Sequence, residues 1–239
     1  NTLIRTKARC TMVNENRKYR IKITKDGPYL VSGNIPLSEK IITPKGREYE
    51  LKAGRQLPQA ETYALCRCGG SKNPPFCDGS HSENGFYGEE TASRKPYRER
   101  AELLVGPGID LLDDNRCAFA RFCHRKPGNA WNLANHSDTD AIRDEAIRAA
   151  SDCPTGRLTA VGKDGVLIEP ELDPAIAIIQ DPEKGVSSGL YVQGGILIEA
   201  ADGFEYEVRN RTMLCRCGKS HNKPFCDATH VVAKYLDHK

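Results

Sequence analysis

At 239 residues and 26.4 kDa the chain is long enough for one ordinary domain or two to three small ones. The 35 Lys and Arg against 32 Asp and Glu leave a formal charge of +3, too even for a nucleic-acid binder working through a broad basic face. The longest apolar runs, such as Ala175–Ile179, reach about five residues, which excludes a membrane-spanning helix of ~20.

In chain order, Tyr19, Ile21 and Ile23 alternate with basic residues, and Tyr49 and Leu51 alternate with acidic ones, the period-two pattern of half-buried strands. Gly27-Pro28 and Pro44-Lys45-Gly46 mark turns between them, as Asp202-Gly203 does later in the chain. From about Arg98 to Leu172 the pattern changes. A helix is predicted from about Asp138 to Asp152, with Ser137 as its cap, Ile142, Ala146, Ala149 and Ala150 on one face, and Pro154 just past its end. The runs Ile109–Leu112, Arg157–Val161 and Val166–Ile168 read as strands around it. Charge and proline clusters near Ser93–Pro96 and Pro170–Pro174 set boundaries, giving modules over 1–96, 97–172 and 173–239.

Two segments repeat. Leu65–His81 reads LCRCGGSKNPPFCDGSH and Leu214–His230 reads LCRCGKSHNKPFCDATH, identical at 12 of 17 positions without a gap. Upstream, Tyr29–Ile35 matches Leu190–Ile196 and Gly46–Leu51 matches Gly203–Val208, with offsets falling from 161 to 157 to 149. The order of elements persists while the loops differ, as in a duplicated module.

The 10 cysteines are too sparse for a disulfide-stapled miniprotein. Cys66, Cys68, Cys77 and His81 share the spacing C-x-C-x8-C-x3-H with Cys215, Cys217, Cys226 and His230. Residues four apart on a helical turn point the same way, so Cys77 and His81 can face one metal. Cys66 and Cys68, two apart on extended chain, can take a neighbouring one. Gly69, Gly70 and Gly218 let the backbone turn behind the site, and Asp78 or Asp227 can accept backbone N–H bonds at the helical turn. Three thiolates and an imidazole admit tetrahedral zinc or an iron–sulfur cluster. Zinc sites usually separate paired cysteines by two to four residues, and here one residue intervenes. A third reading is that the thiols are simply buried.

Cys66-Arg-Cys68-Gly-Gly-Ser71 followed by Pro75-Phe-Cys77-Asp-Gly-Ser-His81 resembles the CDGSH iron–sulfur domain family, the mitoNEET-like proteins. The second copy keeps Cys215, Cys217, Ser220, Pro224, Cys226, Asp227 and His230, with Ala228 and Thr229 where the family has Gly and Ser. The two modules cover about two-thirds of the sequence. The resemblance implies one 2Fe–2S cluster per motif, the Cys66/Cys68-type pair on an inner iron and the Cys77/His81-type pair on an outer, more exposed one. It also implies two strand-rich modules, each with a β-cap, a cluster-binding loop and a short helix, forming an intramolecular pseudo-dimer; with a small ferredoxin-like α/β insert between them, the expected fold class is α+β.

In that insert, Cys117-Ala-Phe-Ala120-Arg-Phe-Cys123 with the remote Cys153-Pro154 resembles the single-cluster bacterial ferredoxin pattern, Ala120 standing where the second cysteine would be. Three ligands fit a 3Fe–4S cluster, or a 4Fe–4S cluster with a fourth ligand other than cysteine. The alternative is a relic whose thiols only pack. Cys10 has no evident partner and reads as a free thiol.

No nucleotide-binding glycine loop, nucleophile–base pair or motif-placed carboxylate pair is present, so no enzyme is expected. The expectation is an electron-transfer protein with proton-sensitive, labile clusters, serving a redox partner. The alternatives are a cluster or iron donor to apo acceptor proteins and a zinc-stabilised interaction module. No charged-then-apolar leader is read at Asn1, and thiolates kept open to iron suit a reducing cytoplasm. Neither nucleic acid nor membrane is expected as a partner, and internal pairing of the modules suggests a monomer.

Overall fold

The computed structural model describes residues 3–5, 18–58 and 60–237. Cys10 lies outside them. The first part of the chain forms β1 (Leu3–Arg5), β2 (Arg20–Ile23), β3 (Tyr29–Ser32), β4 (Leu37–Lys45), β5 (Glu48–Gln56) and β6 (Thr62–Leu65). The middle gives α1 (Tyr97–Arg100), β7 (Glu102–Leu104), β8 (Asp110–Asp113), β9 (His124–Arg125), β10 (Gly128–Asn129), α2 (Ala130–Asn135), α3 (Asp140–Ser151), β11 (Leu158–Val161) and β12 (Leu167–Pro170). The last part gives β13 (Ala175–Asp181), β14 (Val186–Gln193), β15 (Leu197–Glu199), β16 (Arg211–Leu214) and α4 (Thr229–Val232). The molecule is strand-rich with few helices, an α+β chain.

The alternating residues of β2 and β3 place Ile21, Ile23, Tyr29 and Val31 on one buried face. Turns fall where glycine permits them. Gly46, at φ 65°, connects β4 to β5, and Gly203, at φ 89°, bonds back to the Ala200 carbonyl at 3.0 Å.

Two sheets are built by exchange of strands between the duplicated halves. One runs β15-β2-β3-β6 and the other β16-β14-β13-β4-β5. In each, a strand of one half lies parallel to a strand of the other: Ile198 beside Ile21, and Ile178 beside Glu39. The swapped strands β4 and β15 begin two and one residues after the matched residues Ile35 and Ile196. Parallel neighbours need a long connection, and here the whole intervening chain provides it. A single core results, with Ile21, Val31 and Leu65 packed together with Ile176, Leu190, Ile198 and Leu214. The repeat is looser at its third element. β5 pairs along nearly all of β4, whereas the matched Gly203–Val208 segment makes only an isolated bridge, Glu199 with Glu205.

The middle segment has its own sheet, ordered β1-β12-β11-β8-β7, with Leu3–Arg5 on its edge. All its pairings are antiparallel, so this insert is α+β rather than the α/β expected. α2 and α3 pack on it through Ala130, Leu133, Ala146, Ala149 and Ala150. The cap of α3 is Thr139, whose hydroxyl accepts from the Ile142 N–H at 3.4 Å, and not Ser137. Ser137 is buried, donates to the Ala134 carbonyl at 2.7 Å and accepts from the Gly108 and Ile109 N–H groups, so it joins a loop to α2.

Candidate metal centre

Each duplicated site grows out of a strand end. β6 runs straight into Cys66, and the chain returns so that Phe76 bridges Leu65; Cys66 N–H donates to the Pro75 carbonyl at 2.8 Å and Cys77 N–H to the Ala64 carbonyl at 3.0 Å. β16 repeats this, with Cys215 N–H on Pro224 at 2.8 Å and Cys226 N–H on Met213 at 2.9 Å. Ser71 and Ser220 tie each loop across its middle, donating to the Phe76 and Phe225 carbonyls at 2.6 and 2.7 Å. The aspartates act as the spacing suggested. Asp78 accepts from the Lys72 and Ser80 N–H groups at 2.7 and 3.0 Å, and Asp227 from those of His221 and Thr229 at 2.8 and 3.0 Å. Short helical turns follow, Ser80–Ser82 and α4.

The eight ligand candidates come together as pairs. Cys66 Sγ lies 3.7 Å from Cys68 Sγ, and Cys77 Sγ lies 3.4 Å from His81 Nδ1. In the second site the corresponding separations are 3.6 and 3.4 Å. Metal–sulfur bonds of ~2.3 Å at a tetrahedral angle put two sulfurs about 3.7 Å apart, so each pair fits one metal atom. Among the described residues no group of three or more His, Cys, Asp or Glu side chains is drawn tightly enough for one ion. Each site therefore presents two donor pairs, one of two sulfurs and one of sulfur and nitrogen.

One thiol of each C-x-C pair is shifted toward deprotonation, while its partner, Cys66 or Cys217, is raised. A hydrogen bond from Cys66 lowers Cys68 to about 5, and one from Cys217 lowers Cys215 to about 6, so one thiolate in each pair is stabilised by its neighbour. Burial, then the charge of Cys215, raises Cys226. Burial, with Arg216 adding, pulls His230 down to about 4, so its imidazole stays neutral, the form a metal accepts.

The sites differ in cover. In the first, Cys66 is buried while Cys68, Cys77 and His81 are half-buried. In the second, Cys215, Cys217, Cys226 and His230 are 2, 5, 3 and 2% exposed. The exposed outer ligand pair expected for both motifs is therefore found only in the first. Two segments seal the second. Ala118, Ala120 and Phe122 of the insert pack on Cys226. The chain after α4 folds back, Tyr235 donating its N–H to the His230 carbonyl at 3.0 Å and accepting from Ser187 N–H at 2.7 Å, and Asp237 pairs with buried Arg216.

The loops of the two sites abut. A Cβ at Gly69 would strike the Cys217 carbonyl and one at Gly218 the Cys68 carbonyl, and both glycines are left-handed, at φ 75° and 76°. Tyr29, on β3 of the first half, donates to the Cys215 carbonyl at 2.7 Å in the second. Tyr29 and Asp237 escaped the sequence reading because Leu190, aligned with Tyr29, has no hydroxyl, and Asp237 lies past the matched segments. Arg67 and Arg216, at identical positions between paired cysteines, carried a signal. Both are buried and donate Nε–H to matched backbone carbonyls, Gly27 at 2.8 Å and Ser188 at 2.7 Å.

In the insert, Cys117, Cys123 and Cys153 line one pocket. Burial, with the charges of Cys153 and Cys117, pushes the Cys123 thiol up to about 11.

The model of the family described as iron-binding zinc finger CDGSH type matches residues 26–82 and 188–231. No curated protein and no solved structure matches the chain. The family match falls on both duplicated loops with their paired donors, so the chain carries two regions of the CDGSH iron-binding type.

Proposed function

We propose that this chain binds one 2Fe–2S cluster at each duplicated site and works in electron transfer, without a substrate site of its own. The observation that carries the reading is the pairing of donors, sulfur with sulfur and sulfur with nitrogen, in each loop. Cys66 and Cys68 would hold one iron of the first cluster and Cys77 and His81 the other, with Cys215, Cys217, Cys226 and His230 doing the same in the second. A cluster held there supplies one-electron redox chemistry.

The residues tune that chemistry in two ways. An imidazole in place of a thiolate removes one negative charge from the donor set, which favours the reduced state relative to four cysteines. His81 and His230 turn Nδ1 toward their cysteine partners, leaving Nε2 to hold a proton. Strand exchange and the back-to-back loops support an internal pseudo-dimer, and the need for free thiolates supports a reducing compartment. Among the described residues, no helix is long and apolar enough to cross a membrane.

The half-buried Cys77 and His81 also favour a second reading, delivery of the first cluster to an apo acceptor protein. The deciding experiment mixes the loaded chain with a reductase and, separately, with an apo-ferredoxin. Fast reduction with all iron retained is expected. Transfer of iron to the apo-ferredoxin before reduction supports the second reading, and bound zinc with no iron overturns both.

A further inference from the structure

The cysteines of the insert play no part in that reading, yet the fold gathers them. Cys117 and Cys123 stand at the ends of one loop, and Cys153 reaches the same pocket from beyond α3, beside Trp131, Pro154 and Arg157. The loop is bent in a way its residue types do not favour. Phe119 and Arg121 are left-handed, at φ 59° and 70°, a conformation that is costly for such residues and that collects at sites where backbone must face a ligand. Donors are aimed at the sulfurs. Phe119 gives its N–H to Cys117 Sγ at 3.3 Å, and the Arg157 guanidinium, held by Asp113 at 2.6 and 2.7 Å, lines the same pocket. Thr155 Oγ1 is 3.1 Å from Cys153 Sγ. Hydrogen bonds onto sulfur suit thiolates that carry charge, and such bonds are among the protein's means of tuning metal-bound thiolates.

Three soft donors around one pocket select thiophilic metal. An iron–sulfur cluster would give each of the three thiolates an iron of its own. We propose that Cys117, Cys123 and Cys153 hold a third iron–sulfur cluster, of three or four irons, with one corner that has no cysteine. Ala120 occupies the middle of the loop, packed with Ala118 and Phe122 against Cys226, so the third cluster borders the sealed second site. Loading replaces three S–H bonds with three S–Fe bonds and releases three protons. The cluster comes by ligand exchange from a donor protein whose three Fe–thiolate bonds break as these form, the freed donor thiolates taking up the three protons, so the step needs no oxidant or reductant.

The site uses none of the eight ligands of the duplicated loops, and one measurement separates the two readings. Iron and acid-labile sulfide per chain are determined, with electron paramagnetic resonance, on the full chain purified without oxygen and on a chain carrying Cys117→Ser, Cys123→Ser and Cys153→Ser together. About seven or eight irons are expected in the first and about four in the second, with the reduced two-iron signals unchanged. Equal iron in both chains overturns the proposal. If the variant misfolds and those signals vanish too, the unaltered chain decides: about seven or eight irons sustain the third site, and about four irons with two-iron signals alone overturn it. Should the duplicated loops bind no iron, the unaltered chain still carries about three or four irons, and the triple variant loses them all.

Discussion

The two duplicated sites share their donors, spacing and loop hydrogen bonds, and differ in what lies over them. Arg216 of the second is paired with Asp237 and shut in by the returning chain end, while Arg67 of the first has an Nη1 group with no hydrogen-bond partner among the described residues. The lesson is that a ligand motif fixes which metal chemistry is available, and its surroundings decide whether that chemistry faces solvent. Under the proposed electron-transfer function, the first site is the one placed to meet a partner and the second the one shut away from it.

The largest effect is expected from opening the second site. Burial raises the Asp237 carboxyl, but the Arg216 charge and the Ser187 and Arg216 hydrogen bonds outweigh it and hold it down to about 2. A depressed carboxylate adds stability that is fully present above its unfolded value of ~3.9 and lost as pH falls toward 2, so mild acid leaves this lock closed. Asp237→Asn leaves Arg216 buried without a counter-charge and should cost about 3–5 kcal/mol, read from urea unfolding. The same variant should make second-site iron accessible to a chelator. If chelation rates stay those of the unaltered chain, the chain end is not the seal.

Next comes acid. At about pH 5.5, below the ~6.5 of free histidine, protons compete with iron for an imidazole that solvent can reach. Cluster absorbance should decay in two phases, the faster from the His81 site, faster by on the order of tenfold than the slower. His81→Cys should abolish the acid dependence of the fast phase. A single phase would mean the difference in burial does not govern release.

Most of the ligand geometry was legible because it is local: C-x-C and C-x3-H fix which donors meet, whatever the rest of the fold does. The strands around Ile21 and Leu111 and the helix at Ala146 were legible for the same reason, through short-range periodicity. The antiparallel insert sheet and the seal over His230 were not. They depend on strands and a chain end far apart in sequence, and Asp237 has no motif around it. Ser137 was misassigned because two cap-forming hydroxyls stand two residues apart, and burial of the first, bonded to Ala134, decided between them.

A smaller effect is expected in redox titration. The uncompensated Arg67 and the greater solvent access of the first site both favour added negative charge. Two resolved potentials should therefore appear, the first site reduced at the higher one, and His81→Cys should lower that one alone. Coincident potentials would show that cover and counter-charge do not distinguish the sites.

The smallest effect lies where the copies differ by one methyl group. Gly79 and Ala228 hold the same left-handed turn before the histidine, at φ 90° and 69°. Nothing lies within 4 Å of a Cβ built at Gly79, so space does not choose between the residues and only backbone strain does. A left-handed alanine carries about 1–2 kcal/mol of strain, partly offset because glycine has more freedom to lose on folding. Ala228→Gly should therefore stabilise the chain by up to ~1 kcal/mol, and Gly79→Ala should destabilise it by a similar amount, both measured from urea midpoints at unchanged slope. Opposite signs for the pair would confirm that the loops share one backbone; destabilisation by both would mean that the second copy has adapted its turn to the methyl group.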